Sequence, residues 1–121
     1  MGSYILAIDQ STTTTKAIIF DRQGEVKGRR DVNHKQIHPK NNYVEHDPDE
    51  IWRNLVLAVK EVIKTTGIPK EEVACLSVTN QRETTMLWTE EGRPAYHAIV
   101  WQDVRAEDIV HRAQIEQNRE Y

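Results

Sequence analysis

Eight consecutive residues, Asp9-Gln10-Ser11-Thr12-Thr13-Thr14-Thr15-Lys16, combine a carboxylate, an amide, five hydroxyls and an ammonium. Set on a tight turn between two strands, such a run points backbone N–H groups and small hydroxyls into one space. Lys16 adds positive charge, and together these are the donors a phosphate requires. Asp9 suits a magnesium ion, which keeps much of its hydration and meets a protein through one or two carboxylates beside substrate phosphates. The plain alternative is that threonine favours strands and aspartate favours turns. Five hydroxyls bracketed by Asp9 and Lys16 favour the phosphate reading. It is not a P-loop, because no Gly-rich run ends in Gly-Lys-Ser/Thr.

A second constellation is Arg82-Glu83 with Trp101. A polyol offers hydroxyls and a thin apolar carbon edge, so its site needs a carboxylate to accept, a guanidinium to donate and a flat ring to cover the carbons. The plain alternative is a solvated ion pair and a core tryptophan. His34, His38 and His46 have no helix or cysteine to organise them, which disfavours a metal site. His97 and His111 are expected as a strand residue and an exposed helix residue. Asp103 and Arg105 are expected as a local, exposed ion pair of little energetic worth.

The elements that must position these groups follow from pattern. Tyr4 to Ile8 is almost continuously apolar and ends in Asp9, as in a strand buried on both faces. A second strand runs from Thr15 to Phe20, a Gly-bearing turn covers 21–24, and a third strand spans Glu25 to Asn33. Such short connections join antiparallel neighbours, so the chain opens with a three-stranded meander. Residues 34–46 lose periodicity and predict an extended surface loop. Asp47, Pro48 and Glu50 then form a capping-box-like helix start. Ile51, Leu55, Val59, Val62 and Ile63, widened by Trp52 and Val56, recur at helical spacing until Gly67 and Pro69. Val73 to Thr79 predicts a strand returned to the sheet by that crossover helix, with Arg82 and Glu83 just beyond its end, where open α/β sheets place ligands. Thr84–Thr89 and Ala95–Trp101 flank a turn and predict a hairpin beside or over the sheet. A loose helix follows Asp103 and reaches Arg119-Glu120-Tyr121 without a stop signal.

Composition bounds the rest. The 121 residues suit one domain, yet only 38% are apolar against about 45–50% in ordinary domains, which implies a shallow domain or part of a larger one. Sixteen Lys and Arg against 19 Asp and Glu give a net charge of −3, which argues against a nucleic-acid partner. Cys75, alone and flanked by apolar residues, is expected to be a buried, inert thiol. The apolar runs are too short for a membrane span and no signal-peptide pattern opens the chain, so no membrane partner and a cytoplasmic location are expected.

Four segments in order, ILAIDQSTTTTKAIIFD, YVEHDPDEIW, SVTNQRETTMLW and AIVWQDVR, resemble the start of the FGGY carbohydrate kinases over about the first 110 residues. The resemblance implies an actin-like, ribonuclease H-like ATPase fold, of which residues 1–121 would be the N-terminal part of the first domain. It implies ATP and Mg2+ as cofactors and transfer of the γ-phosphoryl group to a primary hydroxyl of glycerol. Thr12, Thr13, Thr14 and Lys16 would then lie at the nucleotide phosphates and Asp9 at the metal. Arg82, Glu83 and Trp101 would contact glycerol. Ser11 stands where this family commonly has Gly, and Lys16 where it usually has Arg, which keeps the charge but loses the bidentate fork. The catalytic Asp and the adenine pocket would lie beyond residue 121, leaving these residues inactive alone. The oligomeric state stays open, a homo-oligomer included. Competing readings are a kinase for a pentulose or erythritol, a metal-dependent nuclease using Asp9 with Glu83 or Asp103, and a non-catalytic nucleotide-binding module.

Overall fold

The computed structural model describes residues 2–117, so the expected helix end at 119–121 lies outside the described residues. Three strands open the chain: β1 (Tyr4–Gln10), β2 (Thr14–Phe20) and β3 (Val26–Asn33). β1 pairs antiparallel with β2, and β2 with β3, which confirms the meander. Helix α1 (Pro48–Thr66) carries the chain over to β5 (Val73–Asn80), which pairs parallel with β1. Between them, a short strand β4 (Glu45–His46) precedes α1, and a single 3-10 turn spans Lys70–Glu72. The sheet order is β3-β2-β1-β5, the mixed arrangement that a meander plus one crossover produces.

α1 begins and ends where local chemistry dictates. The Asp47 side chain accepts from the Asp49 N–H, Pro48 occupies the first turn, and Gly67 closes the helix at φ 67°. The reciprocal half of the capping box does not form: Glu50 accepts from the Lys35 N–H instead, tying the helix start to the loop before it. Ala58 and Val62 pack on Leu6, Ala17 and Ile19 to make the core, with Val59 and Ile63 at its margin. Trp52 does not extend this stripe and is 64% exposed.

β1 is not buried on both faces. Leu6 and Ile8 point inward while Ile5 is exposed. Leu76 and Val78 on β5 pair with Leu6 and Ile8, yet both are exposed because α1 packs over the β2 and β3 side of the sheet. Cys75 on the same strand is exposed too, contrary to the buried thiol expected from its apolar neighbours. An apolar setting in sequence buries a residue only if another element covers it.

The segment 34–46 is not a surface loop throughout. His34, Glu45 and His46 are buried, Ile37 bridges Glu45, and β4 pairs antiparallel with β6 (Ala98–Ile99). The expected hairpin therefore reduces to single bridges, Trp88 with Pro94 and Thr85 with Ile99, and its second arm pairs with β4 rather than with the main sheet. α2 (Glu107–Gln117) follows, with Ile109, Val110, Ile115 and the preceding Val104 exposed. Among the described residues no helix is long and apolar enough to cross a membrane.

Candidate functional site

β1 ends at Asp9-Gln10 and β5 ends at Asn80, side by side because the two strands run parallel in register, Asp9 opposite Thr79 and Gln10 opposite Asn80. The turn from β1 into β2 and the turn leaving β5 consequently emerge at the same edge of the sheet. They bound an open cleft of about 500 Å3 lined by Asp9, Ser11 and Thr12 on one side and Asn80, Gln81, Arg82, Glu83 and Trp101 on the other. Two constellations 70 positions apart in sequence thus meet at one place, as the ends of parallel strands are placed to do.

On the first side, Ser11 Oγ donates to Asp9 Oδ1 at 2.8 Å and Lys16 Nζ donates to Asp9 Oδ2 at 2.7 Å. The Lys16 bond, then the Ser11 bond, hold the Asp9 carboxyl below its ordinary value. Asp9 is therefore a carboxylate at neutral pH, as a metal ligand must be. Lys16 is engaged by this partner rather than extended into the cleft. Thr12 lines the cleft, Thr13 is exposed on the turn, and Thr14 donates to Asn33 Oδ1 at 2.9 Å. Thr15 points inward, its hydroxyl buried without a partner among the described residues. The turn at 11–13 and the alternation of Thr14 and Thr15 at the start of β2 thus divide five hydroxyls that the sequence presents as one run.

On the second side, Arg82 and Glu83 are exposed in the cleft, and Glu83 adopts φ 62°. A non-glycine residue rarely occupies that left-handed region, so the bend that presents Arg82 and Glu83 is imposed by its surroundings. Trp101 is not a core anchor. It is 52% exposed and donates Nε1–H to Thr12 Oγ1 at 2.9 Å. Sequence reasoning does not single out Asn80 or Gln81 as contacts, although both belong to the abrupt polar cluster that ends β5.

A charged cluster holds the Trp101 segment in place. Asp103 and Arg105 are not the exposed, local pair expected: the Asp103 side chain is fully buried, and Arg105 reaches both Asp103 Oδ2 and Glu45 Oε1 at 2.7 Å. The Val44 N–H also donates to Asp103 Oδ2, and Arg105 stacks 4.1 Å over the Tyr43 ring. Burial pushes the Glu45 carboxyl up, but Arg105 and then His97 outweigh it and hold it below its usual range. Asp103 is buried against Arg105 and does not line the cleft, so it does not face Asp9 as the carboxylate cluster of a nuclease would require.

Behind the phosphate-type turn lie His34 and His46, their rings 4.6 Å apart edge to face. His34 Nε2 donates to the Thr12 carbonyl at 2.8 Å, and Gln36 Nε2 donates to the same oxygen at 3.0 Å. His34 holds the loop backbone directly, and His46 reaches it through Gln36. Nothing in their types or spacing announces it, since the contact depends on how residues 34–46 fold back.

Magnesium fits the donor set in one respect. Asp9 is an ionised carboxylate lining the cleft, and one such carboxylate beside substrate phosphates is the donor chemistry magnesium accepts.

Residues 4–121 match the family described as the FGGY family of carbohydrate kinases, N-terminal domain. The glycerol kinase of Rhizobium meliloti (strain 1021) is 51% identical over 106 residues, which cover 87% of this chain and 21% of that protein. Glycerol kinase 1 of Thermotoga maritima is 52% identical over 107 residues, covering 88% and 22%. The crystal structure of Plasmodium falciparum glycerol kinase with ADP matches with a TM-score of 0.83 at 39% identity, covering 90% of this chain and 22% of that one. The chain spans about one fifth of the length of these relatives.

Proposed function

The chain belongs to the FGGY family of carbohydrate kinases, with the N-terminal part of their actin-like, ribonuclease H-like fold, and from that premise we propose that the whole protein phosphorylates glycerol with ATP. The observation that carries this is the shared cleft, with Asp9 and Thr12 facing Arg82, Glu83 and Trp101. A phosphate-type turn beside a polyol-type wall is what transfer between the two ligands requires.

In this reading Thr12, Thr13 and Thr14 lie at the nucleotide phosphates and Lys16 contributes positive charge beside them. Arg82 and Glu83 hold the glycerol hydroxyls, and the Trp101 ring covers its carbons. Asp9 would hold Mg2+, which when bound neutralises phosphate charge. The bond from the γ-phosphorus to the ADP oxygen breaks as a bond to the primary hydroxyl oxygen forms, and the hydroxyl proton passes to a carboxylate. Because phosphoryl transfer depends on positioning and charge stabilisation, the site acts only when complete. We assign residues 1–121 to the N-terminal part of the first of two domains, with the base and adenine pocket supplied by further sequence, so these residues alone are inactive. The exposed Leu76 and Val78 support this, as a strand of a larger sheet would have that face covered. Closure of the second domain would exclude water.

The test is Arg82→Ala in the full-length protein. Loss of a charged hydrogen-bond donor should raise the glycerol KM about 10- to 100-fold while the ATP KM stays nearly unchanged. An equal loss for both ligands would remove Arg82 from the polyol. A panel of glycerol, erythritol and pentuloses separates glycerol from the other acceptors: glycerol should have the highest kcat/KM, and a higher value for another acceptor would reassign the substrate.

A further inference from the structure

We infer that His46 is a positioning residue, closing a ring of hydrogen bonds that fixes the Ser11–Thr12 peptide relative to the end of β5 bearing Arg82. The inference rests on the assignment of these two segments to phosphate and polyol.

The ring is read bond by bond. Gln10 Nε2 donates to the Ser11 carbonyl at 2.8 Å. Gln81 Nε2 donates to Gln10 Oε1 at 3.2 Å and faces His46 Nδ1 at 3.4 Å. His46 Nε2 meets Gln36 Oε1 at 2.7 Å, and Gln36 Nε2 donates to the Thr12 carbonyl at 3.0 Å. The path therefore leaves the turn at Ser11 and returns to it at Thr12, passing through the residue that precedes Arg82.

Carbonyls fix the direction of each bond. Gln36 presents one amide atom to two carbonyl oxygens, those of Thr12 and His34, so that atom is its NH2 and the other, facing His46, is its oxygen. His46 must then carry its proton on Nε2 and offer a lone pair at Nδ1, which is what the Gln81 NH2 faces. Gln81 is fixed in turn, because the Gln10 NH2 is committed to the Ser11 carbonyl and the Gln10 atom that Gln81 faces is therefore an oxygen, leaving the Gln81 oxygen to accept from the Thr84 hydroxyl at 2.9 Å. A fully buried imidazole with both nitrogens assigned in this way is a connector and not a spare core residue. Burial, with His34 beside it, holds the His46 imidazole down to about 4, so the ring stays neutral at physiological pH.

β4 explains why one residue can do this. Successive side chains on a strand point to opposite sides. Glu45 turns to Arg105 and the Trp101 segment, and His46 turns to Gln36 and Gln81. A strand of two residues thus braces both walls of the cleft.

In the full-length protein, His46→Phe severs the ring at Gln36 and Gln81, and Gln36→Leu severs it at Thr12 and at His46 Nε2 while keeping the imidazole. Each should lower kcat at least about tenfold with both KM values within about threefold of wild type, since each half still binds its ligand while their alignment is lost. His46→Gln, whose amide can replace the Nε2 donor, should recover part of kcat. The double variant should be no slower than the slower single one, because members of one chain of bonds act as a unit. The imidazole nitrogen NMR resonances of the wild type should give a neutral, Nε2-protonated His46. An unchanged kcat in both single variants, additive losses, or a His46 ring protonated at Nδ1 would overturn the inference. A wild-type protein without kinase activity would overturn the functional reading alone, and the NMR signature would still decide the ring.

Discussion

Trp101 reaches across 89 positions of sequence to donate its indole N–H to the Thr12 hydroxyl at 2.9 Å. One bond therefore joins the flat wall proposed for glycerol to the turn proposed for phosphate. A tryptophan that only covered carbons would need no such tie, and phenylalanine would serve equally.

Trp101→Phe tests this, since it keeps the flat ring and removes the donor. A neutral hydrogen bond contributes about 1 kcal/mol net, so both the glycerol and the ATP KM should rise about fivefold in steady-state kinetics of the full-length protein. A rise confined to glycerol would show that the bond does not reach the phosphate side.

Lys16 and Asp9 pose a competition. The ammonium 2.7 Å from Asp9 Oδ2 occupies the carboxylate that magnesium would use. Lys16→Met should lower kcat by removing charge near the phosphates, and should also lower the Mg2+ concentration needed for half-maximal activity. Titration of activity against Mg2+ measures both. Parallel loss of kcat and metal affinity would mean that Lys16 supports the metal site instead of competing with it.

The buried Asp103 should make stability depend on acid. Its hydrogen bond from Arg105 is the chief reason its carboxyl is lowered from 3.8 to about 2. A carboxyl lowered in the folded state contributes fully above pH 3.8, and that contribution fades as pH falls through about 2. It amounts to about 2 kcal/mol. Urea midpoints of the wild type should fall through this window. Asp103→Asn should be less stable near neutral pH and should lack this component of the fall, and an identical pH slope would remove Asp103 from the acid response.

Gly28 faces the end of α1 with no room for a side chain, since a Cβ there would collide with Thr66 Cγ2 and press on Val62 Cγ2 at 3.3 Å. Thr66 is not free to turn aside without cost, because its hydroxyl is bonded to the Val62 carbonyl at 2.8 Å. Gly28→Ala should destabilise the protein by about 1–3 kcal/mol in urea unfolding, as overpacking does. A neutral effect would show that α1 shifts freely over β3.

The meander, α1 and β5 are legible in sequence because each is specified locally, by alternation, by a cap and a glycine stop, and by a run of β-branched residues. The two candidate constellations are legible for a similar reason: Asp9 to Lys16 and Arg82-Glu83 are contiguous, and polar clusters at strand ends mark a site before any contact is known. The segment 34–46 is misread because it has no period of its own. Its order comes from β6 and from the backs of the β1 and β5 turns, and pairing between distant segments leaves no local pattern.

By itself, then, the sequence determined which groups are available: a hydroxyl-rich turn between Asp9 and Lys16, an arginine–glutamate pair and an indole. Tertiary structure decided how they are used. It turned Lys16 onto Asp9, aimed Trp101 at Thr12, buried Asp103 against Arg105, and placed His46 between two glutamines. Which side chains exist and which way a strand points them are local matters, whereas hydrogen-bond partners are chosen by chain reversal over tens of residues.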